Sequence, residues 1–204
     1  MSLNDERIGK STVFISEHRF FPRMQSVVRD LNKKTGGNLV VVADTAFARL
    51  AKLFHIEAIN VNTSHNINRY WCGRSEYIRL GILPFIANIT GDNKRFGNNG
   101  EKLITLMFDT LLKGKNLLIS PTGASNPNAK WLSGVGFLSK KIHQEGLSHD
   151  VDFRFVYIPP YFGDYRLSKP IPFELLESQL DLNGPSRRIS IELSELFDRY
   201  KVQK

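Results

Sequence analysis

The chain has 204 residues, 41% of them hydrophobic and 24% charged, and a formal net charge of +8. That length builds one domain with a sizeable core, and the composition is that of an ordinary globular protein. No apolar run approaches the ~20 residues that cross a bilayer, and the first residues lack the apolar stretch of a secretory leader. The single cysteine, Cys72, excludes an intramolecular disulfide and a cysteine-rich zinc site, and it suits the reducing cytoplasm. The excess of cations favours anionic partners: phosphates, nucleic acid, lipid headgroups or an acidic carrier protein.

In chain order, STVFIS (11–16) is β-branched and aromatic and predicts a strand. EHRFFPRMQSVVRDLNKKTGG reads as a loop and then a helix ended by Gly36 and Gly37. NLVVVAD (38–44) is almost continuously apolar, as in strands buried on both faces of a parallel sheet. TAFARLAKLFHI has helical spacing, with Phe47, Leu50 and Phe54 on one face, and EAINVN reads as a short strand. Residues 63–79 are polar and aromatic without a period, and GILPFIANI (81–89) is apolar again.

NNGEKLITLMFDTLLKGK gives the clearest helix, with Leu103, Met107 and Leu111, and likewise Ile104, Phe108 and Leu112, at helical spacing. Asn98 or Asn99 suits its start and Gly114 its end. NLLIS predicts a strand, LSGVGFLSKKIHQ a helix, and DFRFVYIPP a strand closed by two prolines. RRISIEL alternates and predicts a last strand. Strands separated by helices imply an α/β fold: a single domain over 1–204 with a mixed, mostly parallel sheet flanked by helices. In such sheets ligands sit outside the carboxyl ends of the strands. EHRFFPR and SPTGASNP, each directly after a strand, therefore fall in the functional crevice.

His18 follows the first strand, where an imidazole serves either as a general base near neutral pH or as a polar group satisfying the loop. Pro121-Thr122-Gly123 follows the NLLIS strand; Gly123 allows a positive φ that turns backbone N–H groups toward a ligand, or makes a plain turn. Gly134 and Gly136 allow close approach at a helix start, where anions bind well. Lys94 and Arg95 precede the clearest helix and either grip a phosphate or stay solvated. Other chemistries are excluded. Gly123-Ala124-Ser125 is not a nucleophile elbow, because Pro127 stands where the second glycine belongs. GVGFLS lacks the third glycine of a dinucleotide fingerprint, there is no Walker lysine motif, and the five histidines form no metal-binding spacing.

The order of these pieces is more informative than any one of them. A strand ending at a histidine, an apolar strand, GILPFIA, a helix leading into LLKGKNLLISPTG, a glycine-containing helix and FVYIPPYFGDY succeed one another. This series resembles the glycerolipid acyltransferase family, which includes the glycerol-3-phosphate and lysophosphatidate acyltransferases. The resemblance is best over 96–165, weaker over 11–89, and an apparent insertion around 60–79 has no counterpart. The family's first motif places an Asp five residues after the His; here Arg23 stands at that position after His18. Its phosphate-binding basic residue corresponds to Asn88, or its charge comes from Lys94 and Arg95. Pro121-Thr122-Gly123 matches a Pro-Glu-Gly motif, and VYIPP the strand ending in Pro.

The resemblance implies transfer of an acyl group from an acyl thioester to a hydroxyl of a phosphorylated glycerol or lysophospholipid. It implies His18 as catalytic base, with Arg23, Lys94, Arg95, Pro121, Thr122 and Gly123 binding substrate. No bound cofactor or metal is implied; acyl-CoA or acyl-carrier protein is the donor co-substrate. The absence of a spanning segment implies a cytoplasmic protein with peripheral contact to anionic membrane, for which Phe20, Phe21, Tyr70 and Trp71 are candidates. Two alternatives stand beside this reading. One is a catalytically inactive or diverged member that binds acyl lipid or a partner, as Arg23 suggests. The other is a basic nucleic-acid-binding domain, for which NRYWCGR offers arginines among aromatics but no known module.

Overall fold

The computed structural model describes residues 10–17, 21–43, 48, 51–60, 100–121, 131–159 and 163–202. Strands β1 (Ser11–Ser16), β2 (Leu39–Ala43), β3 (Glu57–Asn60), β4 (Asn116–Ile119) and β5 (Val151–Tyr157) run parallel in the order β3-β2-β4-β1-β5. Two further strands, β6 (Arg166–Leu167) and β7 (Ile171–Pro172), pair antiparallel with β5. The fold is thus the α/β domain with a mixed, mostly parallel sheet that the alternation of elements predicts. Strands β6 and β7 are two residues each, too short to show a period in sequence.

Helices cover both faces of the sheet, which explains the continuous apolar runs. On one face α1 (Phe21–Lys34) buries Met24, Val27, Val28 and Leu31, spaced i, i+3, i+4, i+7. They pack with Phe14, Leu39, Val41, Leu118, Val156 and Ile158. After α1, Gly36 and Gly37 adopt φ of +63° and +83° and turn the chain into β2. On the other face α2 (Gly100–Leu112) buries Ile104, Met107, Phe108 and Leu111 at the same spacing. Beside it α3 (Gly134–Gln144) buries Val135, Leu138 and Ile142. Phe173 and Leu176 of α4 (Phe173–Glu177) complete this core from below β7.

Residues 48 and 51–53 are helical, and the side chains they bury include Ala48 and Ala51; Leu53 is 73% exposed. Phe47 and Leu50 lie outside the described residues, as do 61–99, with GILPFIANI and most of the apparent insertion.

RRISIEL is not a strand. It opens α5 (Ser186–Val202). Its alternation, Ile189, Ile191, Leu193, is overruled by the longer window: Ile189, Leu193, Leu196 and Phe197 are buried and share one helical face, whereas Ile191 is 43% exposed. Burial against α3 decides, since α5 approaches that helix closely through small residues. A Cβ on Gly136 would lie 1.9 Å from the Ser186 carbonyl oxygen, and the Gly136 N–H donates to Ser190 Oγ at 2.9 Å. Gly136 therefore serves helix packing, and its N–H is already engaged.

Gly136→Ala forces backbone apart and should cost about 1–3 kcal/mol, read as a lower midpoint in denaturant unfolding. Gly134→Ala is the control: a Cβ there meets nothing within 4 Å, and stability should hold or rise slightly. Equal losses in both variants would show that the α3–α5 approach does not set this cost.

Candidate functional site

The helix after β1 lies on one face of the sheet and the helix after β4 on the other, although β1 and β4 are hydrogen-bonded neighbours. Their chains therefore part at the carboxyl edge. This is a topological switch point, and the crevice that opens there is the place where open α/β sheets bind ligands.

The foot of the crevice is built by two hydroxyls. In the β1–β4 register Phe14 pairs with Leu118 and Ile15 with Ile119, so Ser16 and Ser120 come next. Phe14 and Leu118 face α1, and strand alternation turns Ser16 and Ser120 the same way. Their Oγ atoms are 2.9 Å apart. Ser16 is fully buried beside its β5 partner Val156, and Ser120 is partly exposed. Pro121 is buried, and its carbonyl accepts the Leu132 N–H at 2.9 Å. Pro121 and Leu132 are thus held side by side.

On the α3 side of that point Trp131 meets Phe197 edge-on at 5.6 Å, and Phe197 meets Phe155 edge-on at 5.3 Å. Phe155 also contacts Tyr200, with ring centroids 5.4 Å apart. These rings form an apolar wall beside the carboxyl end of β5. Ser133 is the N-cap of α3, so the half-exposed Leu132 and Phe137 stand at the spacing of a hydrophobic staple.

The β5 exit is tied to α1. Arg23 Nη1 donates to the Pro159 carbonyl. Farther along, Tyr165 donates to Asp30, and Lys34 Nζ donates to Tyr165 Oη at 2.8 Å and pairs with Asp30 at 2.9 Å. Arg23, Asp30 and Lys34 are spaced by seven and four residues and share one face of α1. The hydrogen bond from Tyr165, then that from Lys34, hold the Asp30 carboxyl below its ordinary range, against a smaller opposing effect of burial. Burial and the Asp30 hydrogen bond push the Tyr165 phenol up. At the opposite edge of the sheet, burial raises Glu177, but hydrogen bonds from Ser148 and His143 outweigh it and leave the carboxyl lowered.

Of the residues that the resemblance assigns to the site, Arg23 and Pro121 are described, and they flank β1 on its two sides. His18, Lys94, Arg95, Thr122 and Gly123 lie outside the described residues, as do Phe20, Tyr70, Trp71 and Asn88. Glu17, directly after β1, is described and has an interaction partner. Ser16 and Ser120 emerge only from the structure, as does the bond that Pro159, at the proline-closed end of VYIPP, accepts from Arg23. A trace of the first two is legible: VFIS and LLIS each end an apolar run in serine.

No known protein family matches this chain, and neither the curated proteins nor the solved structures contain a match to it. Among the described residues no three His, Cys, Asp or Glu side chains are grouped to hold a metal ion, and no helix is long and apolar enough to cross a membrane.

Because Asp30 is depressed in the folded chain, its stabilising effect is complete above pH about 5, beyond the unfolded value of about 4, and is lost as pH falls through the folded value. Tyr165→Phe should raise the Asp30 pKa and flatten the loss of stability between about pH 5 and 3. At neutral pH the cost should stay below about 1 kcal/mol, since water screens a carboxylate that is 45% exposed. NMR titration of Asp30 in both proteins checks this; an unchanged midpoint would remove the tie.

Proposed function

We propose that this protein transfers an acyl group from an acyl thioester, acyl-CoA or acyl-carrier protein, to a hydroxyl of a phosphorylated glycerol or lysophospholipid. The observation that carries the reading is the meeting of β1 and β4 at the switch point, with Ser16 and Ser120 in hydrogen-bond contact at 2.9 Å. His18 and Thr122 each follow two residues beyond one of these serines. Two residues of chain reach about 7 Å at most, and that short reach from the two bonded serines supports the reading in which both segments serve one site.

In this reading His18 takes the proton of the acceptor hydroxyl, and the oxygen attacks the thioester carbonyl. The tetrahedral oxyanion collapses, the C–S bond breaks, and the imidazolium returns the proton to the departing thiolate. An ester and a free thiol are released. Backbone N–H groups of the segment containing Gly123 stabilise the oxyanion or hold the acceptor phosphate. Arg23, Lys94 and Arg95 supply cations for the phosphate, and the net charge of +8 draws anionic substrates in. Trp131 and Tyr200, partly exposed around the buried Phe197, suit an apolar acyl chain. The protein works as a peripheral protein at the cytoplasmic face of an anionic membrane.

A second reading rests on Arg23. Its guanidinium, at the position of the family's motif Asp, is bonded to the Pro159 carbonyl and brings a positive charge, which disfavours an imidazolium nearby. A chain so altered binds an acyl lipid or a partner without turning over a thioester.

Thiol release from palmitoyl-CoA, with glycerol-3-phosphate or lysophosphatidate as acceptor, separates the two. Acceptor-dependent release is expected, falling roughly 100- to 10,000-fold in His18→Ala. Turnover unchanged by that substitution would sink the His18 mechanism; no release with either acceptor, or with an acyl-carrier donor, would favour the binding reading.

A further inference from the structure

Ser16 and Ser120 end two strands whose other residues are chosen for burial. A valine at either position would extend the apolar layer of Phe14, Leu118, Val156 and Ile158 on the α1 face. A hydroxyl buried as fully as Ser16, at 0% exposure, persists when it is hydrogen-bonded, and here each serine supplies the other's partner. The pair is unsymmetrical, because Ser120 is partly exposed at the crevice. Two mutually bonded hydroxyls carry two protons, and their bond uses one. Desolvation favours leaving the second proton on the more exposed oxygen. Either oxygen can donate within the pair; the arrangement with Ser16 as donor, which desolvation favours, leaves the Ser120 O–H for a ligand.

Resting on the reading of this crevice as the acceptor site, we infer that Ser120 is a ligand-binding hydrogen-bond donor, oriented by Ser16, for an oxygen of a phosphate monoester dianion. A donor to an ionised oxygen makes a bond roughly twice as strong as one to a neutral oxygen. Arg23, at the neighbouring β5 exit, spends Nη1 on Pro159, and a guanidinium carries five N–H donors. The hydroxyl supplies direction at the foot of the crevice and the cations supply charge. Ser16 acts through Ser120 and is a positioning residue.

The test is calorimetric titration of the full chain with glycerol-3-phosphate and with inorganic phosphate, with thermal melting run alongside. Ser120→Ala should weaken both ligands by roughly 10- to 100-fold, and Ser120→Thr, which keeps the hydroxyl, should restore binding. Ser16→Ala should weaken binding by less, and the double variant should be no weaker than Ser120→Ala alone, because the two act as one unit. Inorganic phosphate should bind more weakly than glycerol-3-phosphate and lose the same factor. Affinities unchanged across the series while melting temperatures fall would reduce the pair to a strand tie and overturn the inference. So would a wild-type chain that binds neither ligand. If Ser16→Ala fails to fold, the two Ser120 variants decide. Thiol release is read separately: phosphate binding lost in Ser120→Ala without any thioester turnover keeps the site and removes the reaction. Turnover with binding unchanged in Ser120→Ala keeps the reaction and removes the role of Ser120.

Discussion

Strand β1 is the constraint on which the structure turns. It pairs with β4 on one side and with β5 on the other, both in parallel, and Val13 and Ile15 are wholly buried. A strand fully paired on both edges and covered on both faces has no freedom to slip, since a shift by one residue would exchange its two apolar sets. The register of β1 therefore sets the height at which β4 and β5 end. That places Ser16, Ser120 and the β5 exit at one edge of the sheet.

The crevice follows from connectivity. Right-handed crossovers put the helix after β1 and the helix after β4 on opposite faces of the sheet. No side chain has to be sacrificed to open a gap there; the chain directions make it. The tertiary ties then shape its rim. Arg23, Asp30 and Lys34 fasten α1 to the stretch after β5. The Pro121 carbonyl and the Leu132 N–H join the chain after β4 to the chain before α3, while the aromatic contacts of Phe197 brace the α3 side. Each tie is modest by itself, but together they fix where the described ends of the crevice segments begin.

Arg23 shows how one position can carry two kinds of evidence. In sequence it stands where the resemblance asks for a carboxylate, five residues after His18. In space it belongs to the first turn of α1 and holds the β5 exit through Pro159. An Asp at that position could not donate to a carbonyl. Arg23 therefore has a structural reason that does not depend on any reaction.

Much of the architecture was legible because burial writes periodicity into a chain. VVV, LLI and FIS mark strands covered on both faces, and the i, i+3, i+4, i+7 spacing of α1 and α2 marks helices with one buried stripe. Gly36, Gly37 and Gly114, all at positive φ, marked helix ends. RRISIEL misled because seven residues fit both periods, and the packing of Gly136 against Ser186 and Ser190 chose the helix. The site was legible as two segments after strands, not as a pair. Local pattern determines which stretches are strands and helices, because propensity and amphipathicity act over a few residues. Which strands are neighbours is decided only when the chain closes on itself, because pairing β1 with β4, some hundred residues apart, depends on how all the layers pack. That closure brought Ser16 to Ser120 and Arg23 to Pro159.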